Sequence, residues 1–234
     1  MSISSWFMRI DRYCSVHAVR SQDTITKGGK DSSNSCGIAS ILMVNFKQKK
    51  HLMVAGLSAG AAISSSGVPG GTYIGGQLSK LAIEQAVKEE PEIYKIYTSV
   101  TGSVYNGSTY SDAMNFPEVL RRLSLGTWSC DWVGPTGFYA AAKAATDAGN
   151  PVIGHVAWND GGAHFVVIDE THTGTISVCD PWDAELRIVS AQAGQTINYD
   201  PSGWVWSFSL GGQRHSYDKP SPGKFSGWIV RKTA

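Results

Sequence analysis

The sequence predicts an α+β fold, helical in its N-terminal half and mostly antiparallel sheet in its C-terminal half. Before Pro151 the apolar residues recur at helical spacing, whereas after it they fall into short β-branched and aromatic runs separated by turn residues. Helices first and strands second is the α+β order rather than the alternation of a parallel-sheet fold. With 42% apolar residues, the 234-residue chain has enough core for a single domain.

Residues 1–33 are polar and turn-rich and read as an irregular lead-in. Residues 34–150 form the helical half. There Ile38, Ala39, Ile41, Leu42, Met43 and Phe46 predict a helix from Cys36 to about Phe46 that is apolar on nearly every side, with Asn34 or Ser35 as N-cap. The Gly-, Ala- and Ser-rich stretch 54–76 reads as a loop. A second helix is expected from about Gly76 to Glu90, stopped by Pro91; a third starts near Asn115, whose side chain caps it ahead of Pro117; a fourth runs from Thr136 to Ala148 and ends at Gly149-Asn150-Pro151. In the sheet half, 151–234, strands are expected at Val152–Trp158, His164–Asp169, Thr175–Asp180, Leu186–Val189, Trp204–Phe208 and Trp228–Arg231. Trp204, Trp206 and Trp228 read as sheet core.

Composition narrows the partners. The 20 Lys and Arg against 19 Asp and Glu leave a net charge of +1, and no basic run is interleaved with aromatics, so no nucleic-acid partner is expected. No 18-residue apolar run occurs, so no membrane partner is expected either. The first residues lack a signal peptide's cationic start and apolar stretch, which points to a protein cytoplasmic as synthesised, any export being signal-peptide-independent. Cys14, Cys36, Cys130 and Cys179 show no C-x-x-C spacing, which favours free thiols, most of them buried, over a disulfide framework or a zinc knuckle. His155 and His172 could meet His164, Asp160 or Asp169 at a metal, but no H-x-x-x-H spacing supports it. Neither metal nor cofactor is expected.

Three residues carry the chemistry. Cys36 falls in the first turn of a helix, where unpaired N–H groups and the positive end of the macrodipole favour a thiolate. His164 lies on one strand and Asp180 on the next. With the hairpin turn centred on His172, the two face each other directly, close enough for imidazole to donate its second N–H to the carboxylate. Parity puts Cys179 on the opposite face, buried. A nucleophile, a base and an orienting carboxylate imply acyl transfer: Cys36 attacks, His164 moves the proton, and Asp180 fixes the tautomer.

The run S-C-G-I-A-S-I-L-M-V-N resembles the nucleophile helix of papain-like cysteine peptidases, above all the bacterial branch that includes the bacteriocin-leader peptidases. P-V-I-G-H-V through G-G-A-H-F-V-V-I, then G-T-I-S-V-C-D-P-W-D, resembles that branch's histidine strand and D-P motif. The matched pieces cover roughly residues 34–46 and 151–183. The resemblance implies a helical half bearing Cys36, a sheet half bearing His164 and Asp180, a cleft between them, and a protein or peptide substrate. Two departures stand out. Papain-like enzymes place an oxyanion-hole glutamine about six residues before the cysteine, where this chain has Lys30, leaving Asn34 or Gln22 as substitutes. Leader peptidases have Asp-Cys-Gly where this chain has Ser35-Cys36-Gly37, and no transporter segment follows. The second favours a stand-alone enzyme, such as a delivered effector or toxin with an inhibitory partner protein, over a leader-maturation protease, while the missing glutamine is the main support for a non-enzymatic reading. A transglutaminase-like acyltransferase shares the first half-reaction, and a pseudo-peptidase binding module is the non-enzymatic alternative.

Overall fold

The computed structural model describes residues 6–22, 34–86, 88, 90–103, 110–201 and 220–234. Five helices, α1 (Cys36–Ser65), α2 (Gly71–Ala86), α3 (Glu90–Thr101), α4 (Phe116–Arg122) and α5 (Phe138–Asp147), accompany nine strands. The strands are β1 (Trp6–Ile10), β2 (Val16–Arg20), β3 (Trp128–Trp132), β4 (Val152–Trp158), β5 (Ala163–His172), β6 (Thr175–Asp180), β7 (Glu185–Ser190), β8 (Asn198–Tyr199) and β9 (Gly223–Lys232). The main sheet runs β3-β9-β4-β5-β6-β7, with β8 also on β9, and every pairing among the described residues is antiparallel. The expected α+β class holds.

One face of the sheet packs on the first part of α1, where Ile38, Ile41, Leu42, Met43 and Val44 meet Phe165, Val167 and Cys179. The other packs on α5, where Phe138 and Ala142 meet Val166, Ile168, Ile176 and Val178. Alternating residues of β5 and β6 thus serve two different cores, as a period-2 chain buried on both faces must.

Several sequence expectations are corrected. The lead-in is not irregular throughout: residues 6–20 make the β1–β2 hairpin. The helix beginning at Cys36 does not stop near Phe46 but continues to Ser65, with no proline to interrupt it before Pro69. Residues 54–76 are therefore mostly helix. Pro91 opens α3 instead of ending α2, since a first-turn proline forfeits no helical hydrogen bond. Asn115 makes no side-chain cap on α4; Asp112 instead caps the 3-10 turn Ala113–Asn115 before it, accepting from Met114 N at 2.9 Å. The helical half also contributes β3 to the sheet. Trp228 is not core but 39% exposed, while Trp204–Phe208 lies outside the described residues.

The β5–β6 register also differs from the expected one. His172 pairs with Thr175 across a two-residue Thr173-Gly174 turn, with Gly174 at φ 80°. Unbroken, that register would put His164 and Asp180 on opposite faces. The ladder shifts between Ile168 and Glu170, leaving Asp169 as the extra residue of a bulge; beyond it Ile168 pairs with Val178 and Val167 with Cys179. Parity is restored. Asp180 lies diagonal to His164 on the same face, not directly opposite it.

The bulge is held by charge. Asp169 pairs with Lys47 of α1 and accepts from His17 Nδ1 of β2 at 2.7 Å, while His17 Nε2 donates to Asp11 at 3.1 Å. Burial alone would raise the Asp169 carboxyl, but Lys47 and His17 outweigh it and hold it far below the usual range. Replacing Asp169 with Asn is expected to cost about 3–5 kcal/mol, because it strands a buried ammonium. Since the folded carboxyl is depressed below its ordinary 3.8, that contribution is present above pH 3.8 and lost as pH falls further. Urea unfolding of both proteins at several pH values checks the size and the sign.

Candidate functional site

Cys36 opens α1 after Ser35, which occupies the N-cap position without a side-chain cap. Instead Ser35 Oγ donates to the Gln22 carbonyl at 3.2 Å, and Gln22 N–H donates to Pro181 O at 2.8 Å. The helix start is thereby tied to the Asp180-Pro181 turn. The Ser35 side chain therefore takes none of the first-turn N–H groups beside Cys36. Gly37 is required by space, since a Cβ there would lie 2.2 Å from Ser111 Oγ and 2.5 Å from the Phe116 ring.

His164 sits near the start of β5, almost fully buried, and donates from Nε2 to Asp180 Oδ1 at 2.7 Å. The Cys36 thiol lies near enough to act on it as well. The structure therefore brings together all three residues singled out in the sequence. Burial pulls the imidazole's proton affinity down, but the Asp180 charge, the hydrogen bond to Asp180 and the nearby Cys36 thiol outweigh this and raise its pKa to about 10.

Asp180 is completely buried and fully engaged. Oδ1 also accepts the Trp182 N–H at 2.8 Å, while Oδ2 accepts from the Tyr199 hydroxyl and lies 3.3 Å from Arg187 Nη1. Burial would raise this carboxyl; His164, Arg187 and Tyr199 together hold it far below the usual range. Arg187 in turn bonds Asp183, with Nη1 at 2.9 Å from Oδ1. The tryptophans enclose the imidazole: Trp158 stacks on it at 5.5 Å and 24°, and Trp182 meets it edge-on at 5.8 Å and 86°. Indole faces favour a cationic ring and keep water from it.

These parts open on a cleft of about 720 Å³ lined by Asn34, Cys36, His155, Trp158, Phe165 and Trp182, among others. An adjoining cavity of about 370 Å³ shares His155, Phe165, Tyr110 and Ser111 and adds Met114, Cys130 and Trp228. Cys130 there is kept a neutral thiol, pushed up to about 11 by burial and by Asp112 and Asp131. His155 donates or accepts at Ser226 Oγ (2.8 Å), and Asp160 accepts from Ser221, so neither joins His164 at a metal.

Two other groups have metal-compatible spacing, His17 with Asp169 and Cys179, and Asp11 with Glu170 and His172. In the first, the Lys47 ammonium already supplies the cation, bonded to Asp169 and 3.7 Å from Cys179 Sγ. All four cysteines are free, but Cys14 is exposed and Cys130 only half-buried, against the expectation of mostly buried thiols.

Sequence reasoning missed Arg187, Tyr199, Trp158 and Trp182. Arg187 was discoverable, because it pairs with Val178 and so shares the face of Asp180. Tyr199 was not, since β8 reaches the site only through its pairing with β9. The sequence matches no family model and no curated protein.

Titration of the His164 imidazole by NMR is expected to show protonation persisting to about pH 10, with a clear drop in Asp180→Asn. The folded value lies above the unfolded 6.5, so the imidazolium's contribution to stability is complete below pH 6.5 and fades as pH rises through about 10. An unchanged titration in the variant would refute the assigned pairing.

Proposed function

We propose that this protein is a cysteine peptidase with a papain-like fold, cleaving a protein or peptide through a Cys36 acyl-enzyme. The observation that carries the reading is that a helix-start thiol lining an open cleft lies beside an imidazole hydrogen bonded to a buried carboxylate. Each supports a different requirement of acyl transfer.

In this reading the thiolate of Cys36 attacks the scissile carbonyl. His164, whose Nε2 is committed to Asp180, uses its other ring nitrogen to pass a proton to the leaving amine, then takes one from the water that releases the acid. Asp180 stays ionised throughout, because four donors stabilise its charge. First-turn N–H groups of α1 receive the developing oxyanion.

The further oxyanion donor is assigned to Gln22 rather than Asn34. Its backbone is fixed between Ser35 and Pro181, its side chain is buried, and its Oε1 has no hydrogen-bond partner among the described residues.

Replacing Cys36 with Ala should abolish both peptide hydrolysis and labelling by a thiol-directed acylating probe. Gln22→Ala should lower kcat by roughly 10²–10³-fold with little change in KM, as for loss of one oxyanion donor. Hydrolysis retained in Cys36→Ala would defeat the peptidase reading. Net transfer to an added amine without hydrolysis would replace it with an acyltransferase.

A further inference from the structure

Residues 52–79 contain no Asp, Glu, Lys, Arg or His, although the chain as a whole is 17% charged. They form the second part of α1, a turn, and most of α2, an antiparallel hairpin standing off the body. Its seam is made of glycine. A Cβ on Gly60 would come 2.6 Å from the Gly75 carbonyl, one on Gly75 would come 2.2 Å from the Gly60 carbonyl, and one on Gly71 would come 2.7 Å from Ile63 O. The backbones therefore nearly touch, and the larger apolar side chains are left outside.

Leu52 (59% exposed), Val54 (58%), Val68 (59%) and Tyr73 (72%) lie on the first leg, the turn and the second leg, with Ile74 and Leu81 beside them. Hydroxyls at the turn fold back onto their own helix: Ser65 donates to Ala62 O at 3.1 Å and Ser66 to Ile63 O at 2.7 Å. At the root stand exposed Lys50, His51 and Lys80, with Glu84 3.8 Å from Lys80 as counter-charge. There too a cavity of about 590 Å³, lined by Met8, Ala18, Phe46, Met53 and Val54, opens beside Lys50 and His51.

We propose that this hairpin docks the protein on an anionic lipid surface, tip first, with the Lys50 and Lys80 ammonium groups and the His51 ring at the level of the phosphates. A protein partner would cover one face and meet a charged rim, whereas here both legs and the turn are apolar and uncharged. Lipid is the surrounding that satisfies all sides, and the Lys50 and Lys80 ammonium groups at the root complement its head groups. The leg from Leu52 to Ser65 is about 21 Å long at ~1.5 Å per residue, short of a ~30 Å hydrocarbon core. Among the described residues no helix is long and apolar enough to cross a membrane. Insertion into one leaflet's interface needs no such helix, which is why the sequence expectation of no membrane partner does not bear on it.

Flotation of the full chain with vesicles tests the proposal. Binding is expected to phosphatidylcholine vesicles containing phosphatidylglycerol and to be weak on phosphatidylcholine alone. Val54→Glu/Tyr73→Glu, both exposed positions, should weaken partitioning at least tenfold while circular dichroism and Cys36 probe labelling stay unchanged. Lys50→Glu/Lys80→Glu should do so at low salt. No binding to anionic vesicles, equal binding by the Val54/Tyr73 variant, or a lipid-free wild-type dimer that this variant dissociates would each overturn it.

Discussion

A single extra residue in β5 decides whether the site can exist. The two-residue turn at Thr173-Gly174 fixes a register in which His164 and Asp180 point to opposite faces, and the bulge at Asp169 shifts the ladder by one and reverses this. Asp169 is also where α1 and β2 are anchored, through Lys47 and His17. The residue that sets the parity of His164 and Asp180 thus also fixes the helix that presents Cys36. Register and helix position are one constraint.

That coupling explains the distribution of charge. Burying Asp180 with Arg187, Tyr199 and His164, and Asp169 with Lys47 and His17, costs desolvation on each side of the sheet. Such clusters define geometry more surely than they add stability: the donors around Asp180 come from β5, β7, β8 and the turn after β6, so the carboxylate keeps its place only when all of these are assembled. The imidazole it orients is then confined between Trp158 and Trp182.

How much of this was legible follows from range. The strands Val152–Trp158 and Thr175–Asp180 were readable to the residue, because β-branched runs between turn residues are a local signal. Cys36 at a helix start was equally local. The hairpin register was not: a turn centred on His172 and a Thr173-Gly174 turn with a bulge give the same parity, so the right face was reached through the wrong pairing. The helix from 54 to 65 was missed because glycine and serine weigh against helix in isolation, and only the close approach of Gly60 to Gly75 offsets that weakness. The β1–β2 hairpin was missed because its polar residues, Asp11 and His17 among them, are buried in a network that no local pattern announces.

The same network supplies the sharpest internal comparison. Cys179, His17 and Asp169 repeat the residue types of Cys36, His164 and Asp180, and the neighbours Cys179 and Asp180 belong to different sets on opposite faces of β6. Both histidines are raised to about 10 by their carboxylates, so proton affinity does not distinguish them. Access and counter-charge do. Cys36 opens on a cleft at an uncapped helix start, whereas Cys179 is sealed in the core with the Lys47 ammonium 3.7 Å from its sulfur. A Cys-His-Asp set becomes a candidate for acyl transfer only where a carbonyl can reach the sulfur and unpaired N–H groups await the oxyanion. On that physical criterion the described residues hold one such candidate and one structural clamp.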